Sequence, residues 1–546
     1  MALTETQLPS LELIFPSADQ IPAEQQLTAP VHQREILIDG KIRIWEGPVQ
    51  AVYSPVCIRD EAGKLEKANI GSYPLATEEE ASEALDAAVK AYDFGRGEWP
   101  TMGVEERIRS IEDFTFRMIG CKKEVVKLIM WEIGKSLADS EKEFDRTVEY
   151  IHATIEALKE TDNKSSGFEI VQGIAGQIRR SPLGVVLCMG PFNYPLNETF
   201  TTMIPALIMG NTVLFKPPKY GTLLFSPLLE AFRDAFPAGV VNTVYGRGAN
   251  VVPFLMSSGK IDVLALIGSS RVADQLIKLH PKTNRLRTIL SLDAKNAAIV
   301  LKHANIEETV KECALGALTF NGQRCTAIKI IYVHRSIAEE FITKLSVQVN
   351  NMKIGMPWEP GVQITPMPEP GKPDYLRNCI DEALAMGAEI RNEGGGEALE
   401  TIVRPAVIYP VDARMKLFRE EQFGPVIPVV AFDEIEEPIN YLIHSDHGQQ
   451  VSIFGTEHVE IARLIDPLVN LVCRVNINSQ CQRGPDVFPF TGRKDSAEGT
   501  LSVSDAIRSF SIRSMVATKL NPQNKLIFNT IVHENESKFL NTQFIF

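Results

Sequence analysis

The segment Gly184-Val-Val-Leu-Cys-Met-Gly-Pro-Phe-Asn-Tyr-Pro-Leu196 joins an apolar run, residues 184–189, to a turn rich in proline and aromatic residues. Similar apolar runs follow, and they predict strands at residues 212–215, 241–244 and 263–267. The segments between the runs have helical patterns, at residues 196–209, 223–236, 251–257 and 272–280. Regular alternation of apolar strands with helices predicts a parallel sheet that helices cover on both faces. We therefore predict an α/β fold, with a second α/β series from about Thr288 to Val475.

The regions before and after this core show weaker patterns. Residues 1–35 are polar and contain proline, so we interpret them as an N-terminal extension, and residues 521–546 as an appended C-terminal tail. Thr77 and Glu80 form a T-x-x-E capping box, which predicts a helix over residues 77–92. A long helical region is expected over residues 105–158, ended by the polar stretch 160–167. Short strands are expected at residues 36–38, 42–45 and 174–180.

Composition excludes several classes of protein. The chain has 546 residues, 44% hydrophobic and 23% charged, as in soluble globular proteins. Its formal net charge of −13 repels phosphate backbones, so no nucleic-acid partner is expected. No apolar run approaches the roughly 18–20 residues of a membrane helix, and the N-terminal segment does not resemble a secretory signal. The eight cysteines include no CxxC pair, which indicates a reducing compartment and no metal site. We expect a cytoplasmic protein with no membrane partner.

Common nucleotide-binding and hydrolase motifs are missing. Gly246-Arg-Gly248 supplies a GxG but lacks the third glycine of the dinucleotide fingerprint. Because a tight turn between strand and helix explains it equally well, both interpretations stay open at Gly246. No Walker A, HExxH or GxSxG motif occurs, which removes the simplest NTPase, zinc-protease and hydrolase interpretations.

One segment has the residues of a nucleophilic site, Phe320-Asn-Gly-Gln-Arg-Cys-Thr-Ala327. Cys325 follows a helical run, precedes a strand and lies beside Arg324, whose charge is expected to lower the pKa of the thiol. The alternative is that Cys325 is a small buried apolar residue.

Three further segments support a site. Asn193 follows the strand at 184–189, where α/β sites form, so its amide is placed to donate to a developing oxyanion. Lys216, in Asn211-Thr-Val-Leu-Phe-Lys-Pro-Pro218, lies at the end of the next strand. Glu420-Glu-Gln-Phe-Gly-Pro425 adds carboxylates and an aromatic ring on a loop.

These four segments, in this order and spacing, resemble the aldehyde dehydrogenase superfamily over about residues 36–520. Further matches are Leu266-Ile-Gly-Ser-Ser270, Asp293-Ala-Lys-Asn296 and Pro489-Phe-Thr-Gly-Arg-Lys494. The resemblance implies an α/β fold with a Rossmann-type cofactor domain, an α/β catalytic domain and a β oligomerisation hairpin. The implied division is an extension (1–35), an NAD(P)-binding domain (36–163 and 185–292), a catalytic domain (293–499), oligomerisation elements (164–184 and 500–520) and a tail (521–546). A homodimer or homotetramer is implied as well.

The resemblance also implies residue roles. Cys325 would attack an aldehyde to form a thiohemiacetal, and Asn193 with the Cys325 amide would stabilise its oxyanion. Hydride transfer to the cofactor, NADP or NAD, would then leave a thioester. The residues that match cofactor contacts are Lys216, Gly246, Gly268, Ser269, Glu421 and Phe423.

Within the superfamily, the chain resembles most the NADP-dependent non-phosphorylating glyceraldehyde-3-phosphate dehydrogenases. The matching phrases are Phe192-Asn-Tyr-Pro195, Gly322-Gln-Arg-Cys-Thr-Ala327 and Gln482-Arg-Gly-Pro-Asp486. That group oxidises glyceraldehyde 3-phosphate to 3-phosphoglycerate, and arginines matching Arg146, Arg324 and Arg483 hold its phosphate. A guanidinium fork suits a phosphate, although a solvated helix face is an alternative role for Arg146. Tyr194 and Thr326 complete the implied substrate site.

One motif departs from the family, in which a glutamate of E-L-G-G-K is the general base. Here the motif reads Ser291-Leu-Asp-Ala-Lys295, and Ser291 cannot accept a proton near neutral pH. Asp293 would project to the same side as Ser291 if the preceding strand continued, which makes it a candidate base; a turn cap is its alternative role. Two rival functions stay open: acyl transfer to CoA, and a binding protein that has lost turnover.

Lys219 bears on the choice of cofactor. Many NAD-using relatives have a glutamate three residues after the lysine that matches Lys216, where it binds the ribose 2′-hydroxyl. Lys219 occupies that place, and a cation there attracts a 2′-phosphate. We therefore predict a preference for NADP; a solvent-facing lysine without a role is the alternative.

Overall fold

The fold contains two mainly parallel sheets, in a computed structural model that describes residues 10–546. The first sheet has six strands, in the order Val241–Thr243, Thr212–Lys216, Val185–Met189, Val263–Ile267, Arg287–Ser291 and Ala497–Glu498. All neighbours are parallel except the last pair. The four predicted strands are confirmed, because apolar residues buried on both faces favour central parallel strands.

The second sheet has seven strands. Their order is Glu389–Ile390, Ala406–Tyr409, Val426–Phe432, Ile328–His334, Asn296–Val300, Gln450–Phe454 and Arg474–Ile477, with only the first pair antiparallel. Thr288 does not begin this series as predicted. It lies in the strand Arg287–Ser291, which pairs with Val263–Ile267 in the first sheet. The second series therefore starts at Asn296, and the turn between the two sheets carries residues 292–295.

Most of the helices pack through an apolar face. The helices are Glu78–Tyr92, Glu98–Thr101, Val104–Gly120, Lys122–Ile133, Leu137–Lys164, Asn197–Ile208, Leu229–Ala235, Gly248–Ser257, Ser270–Leu279, Ile306–Leu318, Ala338–Asn350, Lys372–Ala385, Lys416–Arg419, Glu436–His444, His458–Leu468, Val503–Ser509 and Pro522–His533. The Thr77–Glu80 capping box is confirmed. Among residues 10–546, no helix combines the length and apolarity needed to cross a bilayer.

The predicted long helical region differs from the structure in two ways. It is three helices, because the chain breaks at Cys121 and at Gly134. Gly134 has φ +69°, and a Cβ there would lie 2.1 Å from the Pro366 carbonyl oxygen, so only glycine fits this turn. The last helix also extends past the predicted end at residue 158 and ends at Lys164, within the polar stretch 160–167.

Smaller sheets flank the two large ones. Ser511–Lys519, Ile174–Pro182 and Glu169–Val171 form an antiparallel sheet. A second group contains Val31–His32, Leu65–Pro74 and Val49–Arg59. Two-stranded pairs join Glu35–Ile38 to Lys41–Ile44, Ala398–Leu399 to Ile402–Val403, and His447–Gly448 to Arg493–Lys494.

Both terminal segments pack onto the body. Residues 1–9 of the predicted extension lie outside the described residues, and from residue 10 onward Leu11 and Phe15 are buried. In the predicted tail, Leu540 is buried and the Asn541 carbonyl accepts a hydrogen bond from Arg179 at 3.0 Å. The C-terminal residues therefore contribute to the fold, since they supply partners to a buried guanidinium.

Candidate active site

A cavity of about 880 Å³ lies where the two large sheets meet. Its wall is formed by the turns that follow the strands Val185–Met189, Val263–Ile267 and Arg287–Ser291, and by the segment before Ile328–His334. The carboxyl ends of parallel strands are where α/β proteins bind ligands. The lining includes the predicted site residues Arg146, Asn193, Tyr194, Gly268, Ser269, Asp293, Arg324, Cys325, Thr326, Glu421, Phe423 and Arg483. Lys216, Lys219 and Gly246 are not part of this lining.

Cys325 lies on this cavity with a partly exposed side chain. Burial raises the pKa of the thiol above its usual value, and the Glu198 carboxylate raises it further, while Lys329 and Arg483 lower it. The expectation that Arg324 lowers this pKa is wrong. Its guanidinium turns away from the thiol and donates to the carbonyls of Leu315 and Gly316 at 3.3 and 2.8 Å.

Asn193 is held in place at its side-chain amide and at its backbone carbonyl. Its Nδ2 donates to the Gln323 carbonyl at 2.8 Å, two residues before Cys325, and its backbone carbonyl accepts from Lys135 Nζ at 2.7 Å. The side chain is buried and lines the cavity. The second amide hydrogen of Nδ2 therefore stays available for an oxygen atom bound near the thiol.

Lys135 and Glu143 support this arrangement, and sequence reasoning missed both. The two side chains form an ion pair with no exposed surface, and Glu143 also accepts the backbone N–H groups of Leu196 and Asn197 at 3.0 and 3.1 Å. Lys135 Nζ lies 3.5 Å from the centre of the Tyr194 ring, a cation–π contact. A glycine, Gly134, directly before Lys135 and inside the predicted helical region was the available signal in the sequence.

Lys216 and the nearby glycines form a cradle beside the first sheet. Lys216 Nζ donates to the Pro217 carbonyl at 3.1 Å, and burial lowers its pKa to about 8. A Cβ on Gly248 would lie 3.3 Å from Lys216 Cε, so the glycine keeps space open beside the amine. Gly246 has φ +109°, and a Cβ there would lie 2.4 Å from the Ala76 carbonyl oxygen. An ammonium group beside glycine backbone that no side chain covers suits the hydroxyl and phosphate groups of a dinucleotide.

Glu421 and Phe423 lie on a loop across the cavity. Glu421 forms an ion pair with Lys329, and burial raises the pKa of the Glu421 carboxyl. The Phe423 ring centre lies 5.4 Å from Lys329 Nζ and 5.9 Å from the Phe192 ring. The buried Lys295 fixes the loop, because its Nζ donates to the Glu420 carbonyl at 2.6 Å. A carboxylate and a ring in this position suit a ribose hydroxyl and a planar heterocycle.

The three predicted phosphate-binding arginines have partners within the protein. Arg146 donates to both oxygens of Asp486, at 2.9 and 2.7 Å. Arg483 donates to Asp486 at 3.1 Å and forms a buried ion pair with Glu198, a residue that sequence reasoning missed. The structure therefore brings Arg146 and Arg483 together around one carboxylate. Arg324 lines the same cavity but is bound to a helix end.

Asp293 has a partner at the start of a neighbouring helix. Its Oδ2 accepts the Ser270 backbone N–H at 2.8 Å and the Ser270 hydroxyl at 2.7 Å, at the N-terminus of Ser270–Leu279. The strand before it ends at Ser291, so the continuation that would place Asp293 on the same side as Ser291 is absent. A carboxylate at a helix N-terminus is stabilised in its charged form. A role of Asp293 as base stays a prediction.

The comparisons with known proteins agree with this geometry. Residues 61–516 match the aldehyde dehydrogenase family. The chain belongs to that family. Both the family prediction and the fold prediction are confirmed, and the cavity described above lies within the matched residues.

Individual relatives cover most of the chain. The NADP-dependent glyceraldehyde-3-phosphate dehydrogenase of Streptococcus equinus is 31% identical over 472 residues, 84% of this chain and 96% of the relative. The malonate-semialdehyde dehydrogenase of Bacillus cereus is 28% identical over 483 residues, 86% of this chain and 95% of the relative. The crystal structure of NADP-dependent glyceraldehyde-3-phosphate dehydrogenase from Bacillus halodurans, complexed with NADP, has a TM-score of 0.81 and 28% identity, covering 90% of this chain and 100% of that one.

Proposed function

We propose that this aldehyde dehydrogenase oxidises a phosphorylated aldehyde with NADP, or with NAD as the alternative cofactor. Glyceraldehyde 3-phosphate is the proposed substrate and 3-phosphoglycerate the product. Two of the relatives named above act on glyceraldehyde 3-phosphate and use NADP, which supports this choice. The proposed cofactor residues are Lys216, Lys219, Gly246, Gly268, Ser269, Glu421 and Phe423.

The observation that carries the substrate proposal is a pair of free guanidinium donors. Arg483 Nη2 and Arg324 Nε are buried and have no hydrogen-bond partner among the described residues, and both arginines line the cavity of Cys325. Leaving a buried donor unpaired costs about 1–3 kcal/mol, so these groups favour a ligand with acceptor oxygens. A phosphate provides such oxygens in a geometry that arginine binds well. Tyr194 and Thr326 are proposed to contact the rest of the substrate.

The proposed reaction uses Cys325 and Asn193. The Cys325 sulfur attacks the aldehyde carbon, and the Asn193 amide with the Cys325 backbone N–H donates hydrogen bonds to the resulting oxyanion. A nicotinamide cofactor held by the proposed cofactor residues would supply the hydride acceptor. The acyl group then remains on Cys325 as a thioester, and a nucleophile releases it. Because the residue at position 291 is serine, it cannot activate a water molecule for this release.

The experiment that tests the proposal is a panel of aldehydes assayed with NADP, NAD and CoA. Release of 3-phosphoglycerate in the absence of CoA supports the proposal. Formation of an acyl-CoA product instead assigns the chain to the CoA-acylating class. A burst of reduced cofactor equal to the number of sites, with no turnover in any condition, indicates the binding protein. Oxidation of neutral aldehydes only would reject the phosphorylated substrate.

Replacing Arg146 with glutamine is expected to weaken binding of the phosphorylated aldehyde specifically. Loss of a charged hydrogen-bond donor is worth roughly 1.5–3 kcal/mol, so KM should rise about ten- to a hundredfold. The KM of a neutral aldehyde should change little in the same variant. Arg146 is chosen because Asp486 keeps Arg483 as a partner when Arg146 is removed.

A matched control is Lys142→Gln, which removes a cation from the exposed rim of the same cavity. Steady-state kinetics with both aldehydes measure the effect. An equal rise in KM for the charged and the neutral aldehyde in Arg146→Gln would rule out a phosphate contact at this residue.

Lys219→Glu is expected to shift cofactor preference from NADP toward NAD. Lys219 is exposed, and its Nζ lies 5.1 Å from the centre of the Tyr220 ring. Exchanging a cation for an anion removes attraction for a 2′-phosphate and adds repulsion. The ratio of kcat/KM with NADP to kcat/KM with NAD should therefore fall about tenfold or more. Lys282→Glu, the same change at another exposed lysine, is the control. An unchanged ratio in Lys219→Glu would remove this side chain from cofactor selection.

We further propose that the chain works in the cytoplasm as a homodimer or homotetramer, with the domain boundaries given above. The antiparallel sheet that contains Ser511–Lys519 supports an assembly. One face of this sheet exposes the apolar side chains Val171, Ile174 and Met515. Contiguous exposed apolar surface is typical of an interface, and a second copy of this chain is the proposed occupant.

A further inference from the structure

The carboxylates around Cys325 differ in what their oxygens contact. Asp486 is shared by two arginines, Glu143 accepts two backbone N–H groups as well as Lys135, and Glu421 is paired with Lys329. Asp293 holds the N-terminus of a helix. Each of these groups is committed to a neighbour that stabilises its charge or its position. A proton acceptor for catalysis needs an oxygen that faces the reacting atoms.

Glu198 differs from the others in its effect on the thiol, since Asp293 also binds its neighbours through one oxygen only. It lies in the first turn of Asn197–Ile208, five residues after Asn193, and its side chain is 8% exposed. One oxygen, Oε2, accepts from Arg483, whereas Oε1 has no partner among residues 10–546. Both Glu198 and Cys325 line the same cavity. Arg483 therefore binds one oxygen of this buried carboxylate and leaves the other free on the cavity that Cys325 also lines.

The neighbours of Arg483 restrict the ion pair that it forms with Glu198. Arg483 is held by Asp486 at 3.1 Å and lies 4.7 Å from the centre of the Phe490 ring, so the ion pair cannot rotate freely. Of all charged groups, the Glu198 carboxylate has the largest effect on the raised pKa of Cys325, ahead of Lys329, Arg483 and Glu421. Asp293 is not among these four charges. Glu198 is thus the carboxylate that interacts most strongly with the nucleophile.

We infer that Glu198 is the general base that activates water to hydrolyse the thioester on Cys325. This inference rests on the proposed function, because it concerns the acyl-enzyme of that reaction. Glu198 Oε1 takes one proton from water while the water oxygen bonds to the acyl carbon. The carbon–sulfur bond breaks, the sulfur leaves as thiolate and takes the proton from Glu198, and the acid product ionises. Arg483 is a positioning residue in this step, since it orients the carboxylate.

The test is Glu198→Gln, which keeps the size of the side chain and an acceptor for Arg483. A burst of about one NADPH per site should remain, whereas steady-state turnover should fall by about 10²–10⁴, the usual contribution of a general base. Intact-protein mass spectrometry should then show the acyl group accumulating on Cys325. Added hydroxylamine, a strong nucleophile that attacks thioesters without a base, should restore turnover. Glu149→Gln, an exposed carboxylate on the same cavity, is the matched control.

Several results would overturn the inference. Unimpaired turnover in Glu198→Gln would do so, as would loss of the burst together with turnover in a folded variant that binds NADP. Acyl-enzyme accumulation in Asp293→Asn but not in Glu198→Gln would assign the base to Asp293. If Glu198→Gln does not fold, Glu198→Asp replaces it; partial accumulation of acyl-enzyme supports the inference and normal turnover refutes it. Failure of the wild-type protein to form any acyl-enzyme would instead reject the proposed function itself.

Discussion

Replacing Cys325 with alanine is expected to abolish NADPH formation while leaving the fold intact. Hydride transfer requires the covalent adduct with the sulfur, so the loss should be on the order of 10⁴-fold or greater. The Cys325 sulfur makes no hydrogen bond with the described residues and lies on a cavity, so its removal disturbs little packing. Cofactor binding, measured by fluorescence titration, and the melting temperature should stay close to those of the wild-type protein.

The control for this prediction is Cys473→Ala, the same change at another partly buried thiol. It should keep full activity. A second readout uses the pKa of Cys325, which burial raises. Because the thiolate is the nucleophile, the burst rate should increase as the pH rises through and above neutrality. Dehydrogenase activity above a trace in Cys325→Ala, measured on protein free of wild-type contamination, would mean that another group is the nucleophile.

The sequence was sufficient to predict the strands and the family because both depend on local patterns. Apolar runs such as Val263–Ile267 are buried on both faces, so hydrophobicity identifies them directly. Which sheet a strand joins depends on pairing between distant segments and is not visible in a local pattern. The strand Arg287–Ser291 continues the alternation without a break in pattern, and only its pairing with Val263–Ile267 shows that it belongs to the first sheet. Helix ends were missed for a related reason, since polar residues up to Lys164 are compatible with a solvent-exposed helix.

The sequence predicted which residues line the site better than it predicted where their side chains point. Arg324 precedes Cys325 in the chain, yet its guanidinium binds the carbonyl of Gly316. Both residues lie in the irregular turn before Ile328–His334, where no periodicity predicts the direction of a side chain. Glu198 had no recognisable motif. Its partner Arg483 is 285 residues away, and no local pattern indicates an ion pair across that separation. Only the structure therefore shows which charged side chains inside the cavity form ion pairs with one another.

Replacing Asn193 with alanine is expected to slow hydride transfer by about 10²–10³ if its amide stabilises the oxyanion. The amide is held by its bond to the Gln323 carbonyl, which leaves the second hydrogen of Nδ2 for the reacting oxygen. An interaction made in the transition state lowers kcat with little change in KM. Single-turnover measurements of the NADPH burst report this step directly, without the later hydrolysis.

A structural role for Asn193 predicts a different pattern, and a second variant separates the two. Lys135 binds the Asn193 backbone carbonyl, a contact that alanine preserves, so the substitution removes the side-chain amide alone. Asn193→Asp keeps the shape of the side chain, removes the donor and adds a negative charge next to the oxyanion. The aspartate variant should therefore be at least as slow as the alanine variant. A burst rate restored by aspartate would show that shape rather than hydrogen-bond donation is what Asn193 supplies, because a carboxylate cannot donate to an oxyanion.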